Sequence, residues 1–362
     1  MEKYKISSNK LQINLSAVAA NYELLKKFVG KKVTCAANVK SDAYGLGLEK
    51  LIPCLSKAGC NKFFVRNLEE ALAIRCSSLT DEIYVLNGIA SGEEEYFAQN
   101  NIVPVLNTKG QFELYNNYSR RKGKSFAAVL NIDTGINMIG FSHKEALALA
   151  KSDYFKQKLV IRFIMSYFAS NSLANNSYNQ KQLEIMQEVK QAFALPVSFS
   201  GSTGISLGAN YHFDIVRPGL SLFGCANIPG LDLENAITLT SKIIQIKEVQ
   251  EDYISDFENS YRLKKSSLVA TIPIGYGDGI LFSLSNKGVF DINGYKAPVI
   301  GKISMDLIML DVTNIPKEEL YVGAEVELLG RESTIQKIAE QAGTTYNNII
   351  TSLSSRIQRI YR

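Results

Sequence analysis

VTCAANV at residues 33–39 is the first of a series of short, apolar, β-rich runs, and the spacing of that series decides the fold. Segments rich in Ala, Leu, Glu and Lys separate the runs, as amphipathic helices separate parallel strands. The eight predicted strands are Val33–Val39, Phe63–Val65, Ile83–Leu86, Ile102–Leu106, Ala127–Ile132, Leu159–Ile164, Pro196–Phe199 and Phe213–Val216. Predicted helices between them include Asn67–Arg75, Lys144–Lys151 and Gln180–Phe193.

Eight strands with crossover helices predict an α/β fold that begins with a (β/α)8 TIM-like barrel, whose catalytic groups lie at the C-terminal ends of the strands. An open doubly wound sheet has a similar pattern up to about the sixth strand. The strand count favours the barrel.

The pattern changes after about Leu233, where β-branched alternation continues without long helical spacers. The predicted strands there are Ile243–Val249, Ser267–Ile274, Gly288–Asp291, Ala297–Ile300, Leu307–Val312 and Glu325–Leu328. Turns are indicated at Asn293–Gly294 and Gly275–Gly279, and a short helix at Thr334–Ala342. We therefore expect two domains, a barrel at 1–232 and a mostly β C-terminal domain at 233–362.

Composition excludes several classes of protein. Of the 362 residues, 46% are hydrophobic and 21% charged, which is ordinary for a globular chain, and a net charge of +5 is too mild to indicate nucleic-acid binding. The basic run Arg120–Lys124 is interpreted as a solvated loop. Five cysteines without a CxxC pair or a histidine cluster predict neither a disulfide framework nor a metal site. No signal segment or apolar run of ~20 residues is present, so we predict a cytoplasmic protein without membrane contact.

A lysine follows the first predicted strand, within AANVKSDAYG at residues 36–45. At the end of a barrel strand, Lys40 would place its amine at the barrel mouth, where partial desolvation lowers the pKa and suits the amine to Schiff-base chemistry. A lysine reaching solvent from a strand end is the simpler alternative, and the position alone favours it.

Three further segments contain candidate functional groups. Asp214–Leu220 ends the eighth strand, where Gly219 and Leu220 could offer N–H groups to a phosphate. In the β domain, Ile272–Gly279 places Tyr276 in a glycine-rich bend, and Gly301–Asp306 ends another strand. Each of the three could instead be an ordinary turn.

Together and in this order, the four segments resemble the alanine racemase family, and the resemblance runs nearly from end to end. It implies a pyridoxal phosphate (PLP) cofactor held by Lys40 as a Schiff base. It also matches Tyr44, Ser202, Gly219 and Leu220 to contacts of the cofactor phosphate, Tyr167 to a residue stacked on the cofactor ring, and Arg217 to the arginine facing the pyridine nitrogen.

The resemblance matches Tyr276 to the second catalytic base of the family, which reaches into the barrel of the other subunit. Met305 and Asp306 match residues beside the substrate carboxylate that cross the same interface. A homodimer is implied, with Lys40 and Tyr276 exchanging a proton at opposite faces of the amino-acid Cα. Since a guanidinium keeps its proton, Arg217 would leave the pyridine ring unprotonated and favour racemisation over transamination.

The sequence departs from the family pattern near the site. Met138 takes the place of an arginine that binds the substrate carboxylate, and Asn131 that of a lysine that orients this arginine. Tyr167 replaces a histidine that contacts the catalytic tyrosine. The remaining departures are Leu46 for histidine, Gly201 for asparagine and Ser355 for tyrosine, and the two histidines, His143 and His212, are interpreted as structural.

Three functions remain open. The first is an alanine racemase that supplies D-alanine for peptidoglycan. The second is a PLP-dependent racemase of another amino acid, since loss of the arginine at Met138 changes how a carboxylate is held. The third is a PLP-binding homodimer with little or no catalysis. A PLP decarboxylase is disfavoured because those enzymes pair the pyridine nitrogen with a carboxylate, whereas the resemblance puts Arg217 there.

Overall fold

The structure is a computed structural model that describes residues 7–77, 81–152, 158–169, 176–250 and 266–362. Its strands are β1 (Lys10–Ile13), β2 (Thr34–Cys35), β3 (Ala37–Asn38), β4 (Lys62–Val65), β5 (Glu82–Val85), β6 (Ile102–Leu106), β7 (Phe126–Asp133), β8 (Phe141–Ser142), β9 (Leu159–Met165), β10 (Val197–Gly201), β11 (Ile215–Arg217), β12 (Ile237–Lys242), β13 (Gln245–Val249), β14 (Ser267–Ile272), β15 (Val289–Ile292), β16 (Tyr295–Ile300), β17 (Ile308–Asp311), β18 (Glu325–Leu329) and β19 (Gln358–Tyr361).

Helices alternate with the strands through the first part of the chain. They are α1 (Leu15–Val29), α2 (Lys40–Gly45), α3 (Leu48–Lys57), α4 (Leu68–Ser77), α5 (Glu94–Gln99), α6 (Lys109–Lys122), α7 (His143–Lys151), α8 (Ser177–Phe193), α9 (Ser202–Ser206), α10 (Ile335–Ala342) and α11 (Tyr346–Ser352). Short 3-10 helices lie at Ala209–Tyr211, Leu220–Phe223, Tyr276–Asp278, Phe282–Leu284 and Lys317–Glu319.

The chain divides into two compact units. One comprises Val18–Ala43 and Gly47–Glu234, and the other comprises Met1–Ala17, Tyr44–Leu46 and Asn235–Arg362. The change at Asn235 lies beside the boundary predicted at residues 232 and 233. No local pattern indicates that the described residues before Val18 group with the C-terminal part.

The first unit is built on a parallel barrel. Its sheet runs in the order β2-β11-β10-β9-β7-β6-β5-β4-β3, and β2 and β3 are two halves of one stretch of chain. The N–H of Ala36, between those halves, donates to the carbonyl of Val216 at 2.9 Å. The sheet therefore closes on itself through residues 34–38, as expected for a (β/α)8 barrel.

Burial on both faces explains why the barrel strands are apolar runs rather than alternating ones. All five residues of β6 are buried. A layer of side chains fills the barrel interior, including Phe64, Tyr84, Val105 and Phe163. The Phe64 and Tyr84 rings stack at 4.7 Å between centroids.

The second unit is a mostly β domain, as predicted. Its sheet runs in the order β13-β14-β17-β16-β15-β18-β12-β1-β19. β1 pairs antiparallel with β12 and parallel with β19, and none of these three strands was predicted as such. They are short and their partners lie far apart in the chain, so local periodicity gives little signal.

Two local predictions are corrected by the structure. The predicted strand Ile243–Val249 begins two residues too early, because β12 ends at Lys242 and β13 begins at Gln245. The basic residues Arg120–Lys122 form the exposed last turn of α6 rather than a loop, where cations complement the helix dipole.

Three further observations concern the cysteines, membrane spans and metal ligands. The five cysteines are free thiols. In the described part of the chain, no helix is both long and apolar enough to cross a bilayer, and no group of three potential metal ligands is found there.

Candidate active site

The candidate catalytic lysine lies where the first barrel strand ends and α2 begins. The residues that follow it have φ angles in the left-handed region: 58° at Ser41, 54° at Asp42, 51° at Ala43 and 61° at Tyr44. Such a conformation costs an ordinary residue roughly 1–2 kcal/mol. Interactions with surrounding residues are therefore needed to hold this turn.

Two of those interactions involve Asp42. Its N–H donates to Oε1 of Glu70 at 3.0 Å, and its own Oδ1 accepts the N–H of Leu48 at 2.8 Å. The second oxygen of Glu70 accepts the N–H of Arg66 at 2.8 Å. The Glu70 carboxylate thus connects the turn after the first barrel strand with the chain that follows β4.

Lys40 is half-buried at the start of this turn. Burial lowers the pKa of its ammonium, the positive charge of Arg217 lowers it further, and the negative charge of Glu70 acts in the opposite direction. A lowered pKa increases the fraction of free amine near neutral pH, as a nucleophile or general base requires.

Arg217 is a buried cation at the end of β11, only 2% exposed. Its guanidinium donates to Oγ of Ser198 at 2.5 Å and to the carbonyl of Ser166 at 2.7 Å. It also lies over two aromatic rings, 5.5 Å from the centroid of Phe64 and 5.0 Å from that of Tyr167. Neutral oxygens and π faces thus surround the charge, and burial lowers the pKa of Arg217.

Tyr167 packs against the cluster of apolar side chains inside the barrel. Desolvation raises the pKa of its phenol, and the charge of Arg217 partly offsets this. The neutral phenol of Tyr167 presents its ring face to the Arg217 cation. The ring can therefore still stack, as the histidine of the family pattern would.

A group of hydroxyls and N–H donors follows the last two barrel strands. Oγ of Ser202 accepts the N–H of Gly219 at 2.9 Å and that of Ser221 at 3.1 Å, and lies 3.0 Å from the Ser221 hydroxyl. The half-buried Leu220 lies between these donors in the chain. Convergent N–H and hydroxyl groups at this end of a barrel form a chemically suitable phosphate cradle.

The end of β7 and the loop after it carry the departures, Asn131 in the strand and Met138 in the loop. Asn131 is 1% exposed, and its Nδ2 donates to Oδ1 of Asn107 at 2.9 Å and to the carbonyl of Ile139 at 3.1 Å. Met138 is 82% exposed. The Asn131 amide thus anchors the end of this loop at Ile139, and Met138 is exposed at the loop tip.

In the second unit, backbone hydrogen bonds bring the glycine-rich bend at Ile272–Gly279 and the strand end at Gly301–Asp306 together. The N–H of Tyr276 donates to the carbonyl of Ser304 at 3.0 Å, and that of Gly277 to the carbonyl of Met305 at 2.8 Å. Gly275 permits this approach, because a Cβ there would lie 2.3 Å from the Ser304 oxygen. Tyr276 is 46% and Met305 61% exposed, and Asp306 is exposed beside them.

The other residues singled out from the sequence are distributed as follows. Tyr44 and Leu46 are buried, Gly201 is half-buried and Ser355 is exposed. Nε2 of His212 lies 3.0 Å from the carbonyl of Ile205. His143, the first residue of α7, lies 2.9 Å from the Glu188 carboxylate.

Sequence reasoning missed three residues that contact the candidate site. Ser198 bonds Arg217, Ser221 joins the donors around Ser202, and Glu70 holds the lysine turn. A polar residue inside the predicted strand Pro196–Phe199 was an available signal for Ser198, because buried hydroxyls require partners. The sequence contained no comparable local signal for Glu70.

Fold and site together define a class. A parallel barrel with a partly desolvated lysine at a strand end, a buried arginine nearby and phosphate-type donors after the last strands is typical of lysine-dependent barrel enzymes. The chain belongs to the alanine racemase family: the N-terminal domain of that family matches residues 13–227, and its C-terminal domain matches residues 236–361.

Individual relatives extend the similarity over nearly the whole chain. The alanine racemase of Rickettsia akari (strain Hartford) is 36% identical over 353 residues, covering 97% of this chain and 98% of the relative. The catabolic alanine racemase of Agrobacterium fabrum is 37% identical over 359 residues, covering 98% and 92%. The crystal structure of alanine racemase from Bartonella henselae with covalently bound pyridoxal phosphate is 35% identical, with a TM-score of 0.93 and coverage of 99% and 100%.

Proposed function

We propose that this chain interconverts L-alanine and D-alanine with PLP as its cofactor. The observation that carries the proposal is the partly desolvated Lys40 at the end of a barrel strand, electrostatically coupled to the buried Arg217, in a chain of the alanine racemase family. PLP, when bound, supplies an electron-withdrawing system that acidifies the hydrogen on the amino-acid Cα.

The donor set of the barrel fits this cofactor. The amine of Lys40 would be the covalent attachment point, and Arg217 would lie toward the pyridine nitrogen and keep its own proton. The phosphate contacts are Ser202, Gly219, Leu220 and Tyr44. Ser221, whose N–H and hydroxyl already surround the Ser202 oxygen, joins this set.

Two residues move the proton. Lys40 removes or returns it on one face of the Cα, and Tyr276 does so on the opposite face, so a proton lost to one base and gained from the other inverts the centre. Tyr167 stacks near the cofactor ring beside Arg217. Met305 and Asp306 lie beside the substrate carboxylate, and Met138 lines the substrate site without supplying a charge.

We further propose that the enzyme is a homodimer with a shared site. Tyr276, Phe282, Met305 and Leu307 expose apolar surface in one region of the sequence, between 39% and 61% of each residue. Apolar groups of this size commonly mark an interface. Each barrel would receive Tyr276, Met305 and Asp306 from the partner subunit.

Three features expected from the sequence stay predictions. They are the cytoplasmic location, the use of D-alanine in peptidoglycan, and the division into a PLP-binding domain at 1–232 and a C-terminal domain at 233–362.

A second candidate function is a PLP-dependent racemase of another amino acid. The observation that favours it is the pair Asn131 and Met138, because the NH2 group of Asn131 bonds Asn107 and the end of the loop after β7, and the thioether of Met138 cannot pair with a carboxylate. A weakly active PLP-binding homodimer is the third outcome of the same remodelling.

The deciding experiment measures D-alanine formation from L-alanine by the purified protein reconstituted with PLP, using chiral chromatography, beside a Lys40→Ala control. We expect the unmodified protein to form D-alanine and the Lys40→Ala control to form none. If PLP attaches to Lys40 but no D-alanine forms, a panel of other amino acids separates an altered substrate from lost catalysis. A reducible PLP adduct at the usual place in Lys40→Ala would contradict the assignment of Lys40.

A further inference from the structure

We propose that Glu70 is a positioning residue for Lys40, holding the left-handed turn at residues 41–44 through the Asp42 N–H and so fixing where the lysine amine lies. The inference deepens the proposed function, since it takes Lys40 as the cofactor lysine.

The beginning of the turn has one local restraint, the N–H of Ala43 donating to the carbonyl of Val39 at 2.9 Å, and one external restraint, the contact of Asp42 with Glu70. Its later part has local ones: the carbonyl of Asp42 accepts the N–H of Gly47 at 3.0 Å, and Oδ1 of Asp42 accepts the N–H of Leu48 at 2.8 Å. The Asp42 N–H points away from these contacts to a carboxylate 28 residues further along the chain. Glu70 thus restrains the turn two residues after Lys40.

The Glu70 carboxylate does more than cap its own helix. The N–H of Arg66, which precedes α4, uses one oxygen at 2.8 Å, and Oδ1 of Asn67 caps the same helix by accepting the Glu70 N–H at 3.1 Å. These two contacts suffice for the start of α4. The second oxygen is directed to the lysine turn, as a charge-assisted hydrogen bond that is stronger than a neutral one.

Glu70 also contributes charge at the site. The charged groups that act on Lys40 are Arg217 from β11, which lowers its pKa, and Glu70 from α4, which raises it. Removing the negative charge therefore lowers the pKa of Lys40 further, so that its free amine persists to lower pH. A purely structural residue would leave this pH dependence unchanged.

Glu70→Gln tests both roles, and Glu69→Gln is the matched control, because Glu69 is an exposed neighbour on the same helix. Glutamine keeps the shape of the side chain, but its NH2 group cannot accept the second backbone N–H. Two measurements are made on the purified protein: hydrogen exchange of the peptide containing residues 41–44, and the rate at which PLP attaches to Lys40 after cofactor removal, as a function of pH.

For Glu70→Gln we expect amide exchange in the turn to be about 10-fold faster. Attachment should slow by about 10-fold at its high-pH plateau, and the midpoint of its pH profile should move to lower pH. Glu69→Gln should match the unmodified protein in all three readouts. Unchanged exchange and an unchanged midpoint in Glu70→Gln would overturn the inference, as would equal effects in both variants.

Failure of the proposed function is distinguishable from failure of this inference. If the unmodified protein does not attach PLP at Lys40, the function fails, while the exchange measurement still decides whether Glu70 holds the turn. Should Glu70→Gln not fold, Glu70→Asp keeps the charge but has a shorter reach. Faster exchange of the turn is expected there too, and exchange at the unmodified rate would overturn the inference.

Discussion

Arg217 holds its positive charge inside an apolar barrel without losing its hydrogen-bond partners. Ser198 Oγ and the Ser166 carbonyl accept from it, and the rings of Phe64 and Tyr167 cover its faces. Because the interior dielectric is low, this charge acts strongly on neighbouring ionisable groups. In this position the arginine lowers the pKa of Lys40.

Arg217→Gln is expected to move the pH midpoint of PLP attachment to higher values. Arg217 disfavours the Lys40 ammonium, so its removal raises the pKa of Lys40 and reduces the free amine at a given pH. Attachment is followed by absorbance and by borohydride trapping at Lys40. The direction is opposite to that expected for Glu70→Gln, and a midpoint that moved to lower pH in both variants would contradict the electrostatic account.

Asn131 shows how a departure from a family pattern is accommodated. A buried charged side chain would need a charged partner, whereas the neutral NH2 group of Asn131 needs only its two hydrogen bonds, to Oδ1 of Asn107 and to the Ile139 carbonyl. The buried Oδ1 of Asn131 has no partner among the described residues. The two departures change the chemistry of the site rather than the fold, because Met138 at the exposed loop tip provides no cation for a carboxylate.

At the scale of elements, the hairpin-like approach of two segments places Tyr276 next to Met305 and Asp306. The close approach of the two segments depends on Gly275. Its φ of −156° is accessible to any residue, so backbone conformation does not require glycine there. Steric space does, since a Cβ would lie 2.3 Å from the Ser304 oxygen and 2.5 Å from the Asp306 nitrogen. Both neighbours are backbone atoms, so a side chain at residue 275 forces the segments apart.

Gly275→Ala is therefore expected to destabilise the protein by about 1–3 kcal/mol and to lower turnover, because Tyr276 moves relative to Met305. Chemical denaturation measures the first effect and the racemase assay the second. Gly110→Ala is the matched control: Gly110 lies near the start of α6 with its nearest contact at 3.8 Å, so alanine should be tolerated there. Equal stability of the two variants would contradict the steric argument.

At the scale of the whole molecule, a shared site predicts complementation between inactive subunits. Lys40→Ala and Tyr276→Phe chains, co-expressed with different tags and purified as a hybrid dimer, should regain about half of the unmodified activity. One site of the hybrid then has both substituted residues, and the other has both Lys40 and Tyr276 intact.

The two parent variants, each purified alone, are the controls and should show little racemisation. A hybrid dimer no more active than its parents would show that Lys40 and Tyr276 act within one subunit. Recovery of activity would support both the homodimer and the assignment of the two bases.

Much of the architecture follows from the sequence alone. Strands buried on both faces must be apolar, and crossover helices impose a regular spacing, so the eight barrel runs and the lysine at the end of the first are visible in the primary structure. The Asn293–Gly294 turn was likewise predictable, because φ angles of 49° and 92° suit these two residues. These features are local, and local sequence encodes them.

Only the tertiary structure decided the features that depend on distant partners. The membership of β1 in the C-terminal sheet, the contact of Ser198 with Arg217 and the approach of Tyr276 to Ser304 join residues with no shared periodicity. The left-handed turn after Lys40 is the clearest case. Residues 41–44 include no glycine, so their sequence does not favour positive φ. Contacts made on folding hold the conformation, among them the hydrogen bond from the Asp42 N–H to the Glu70 carboxylate.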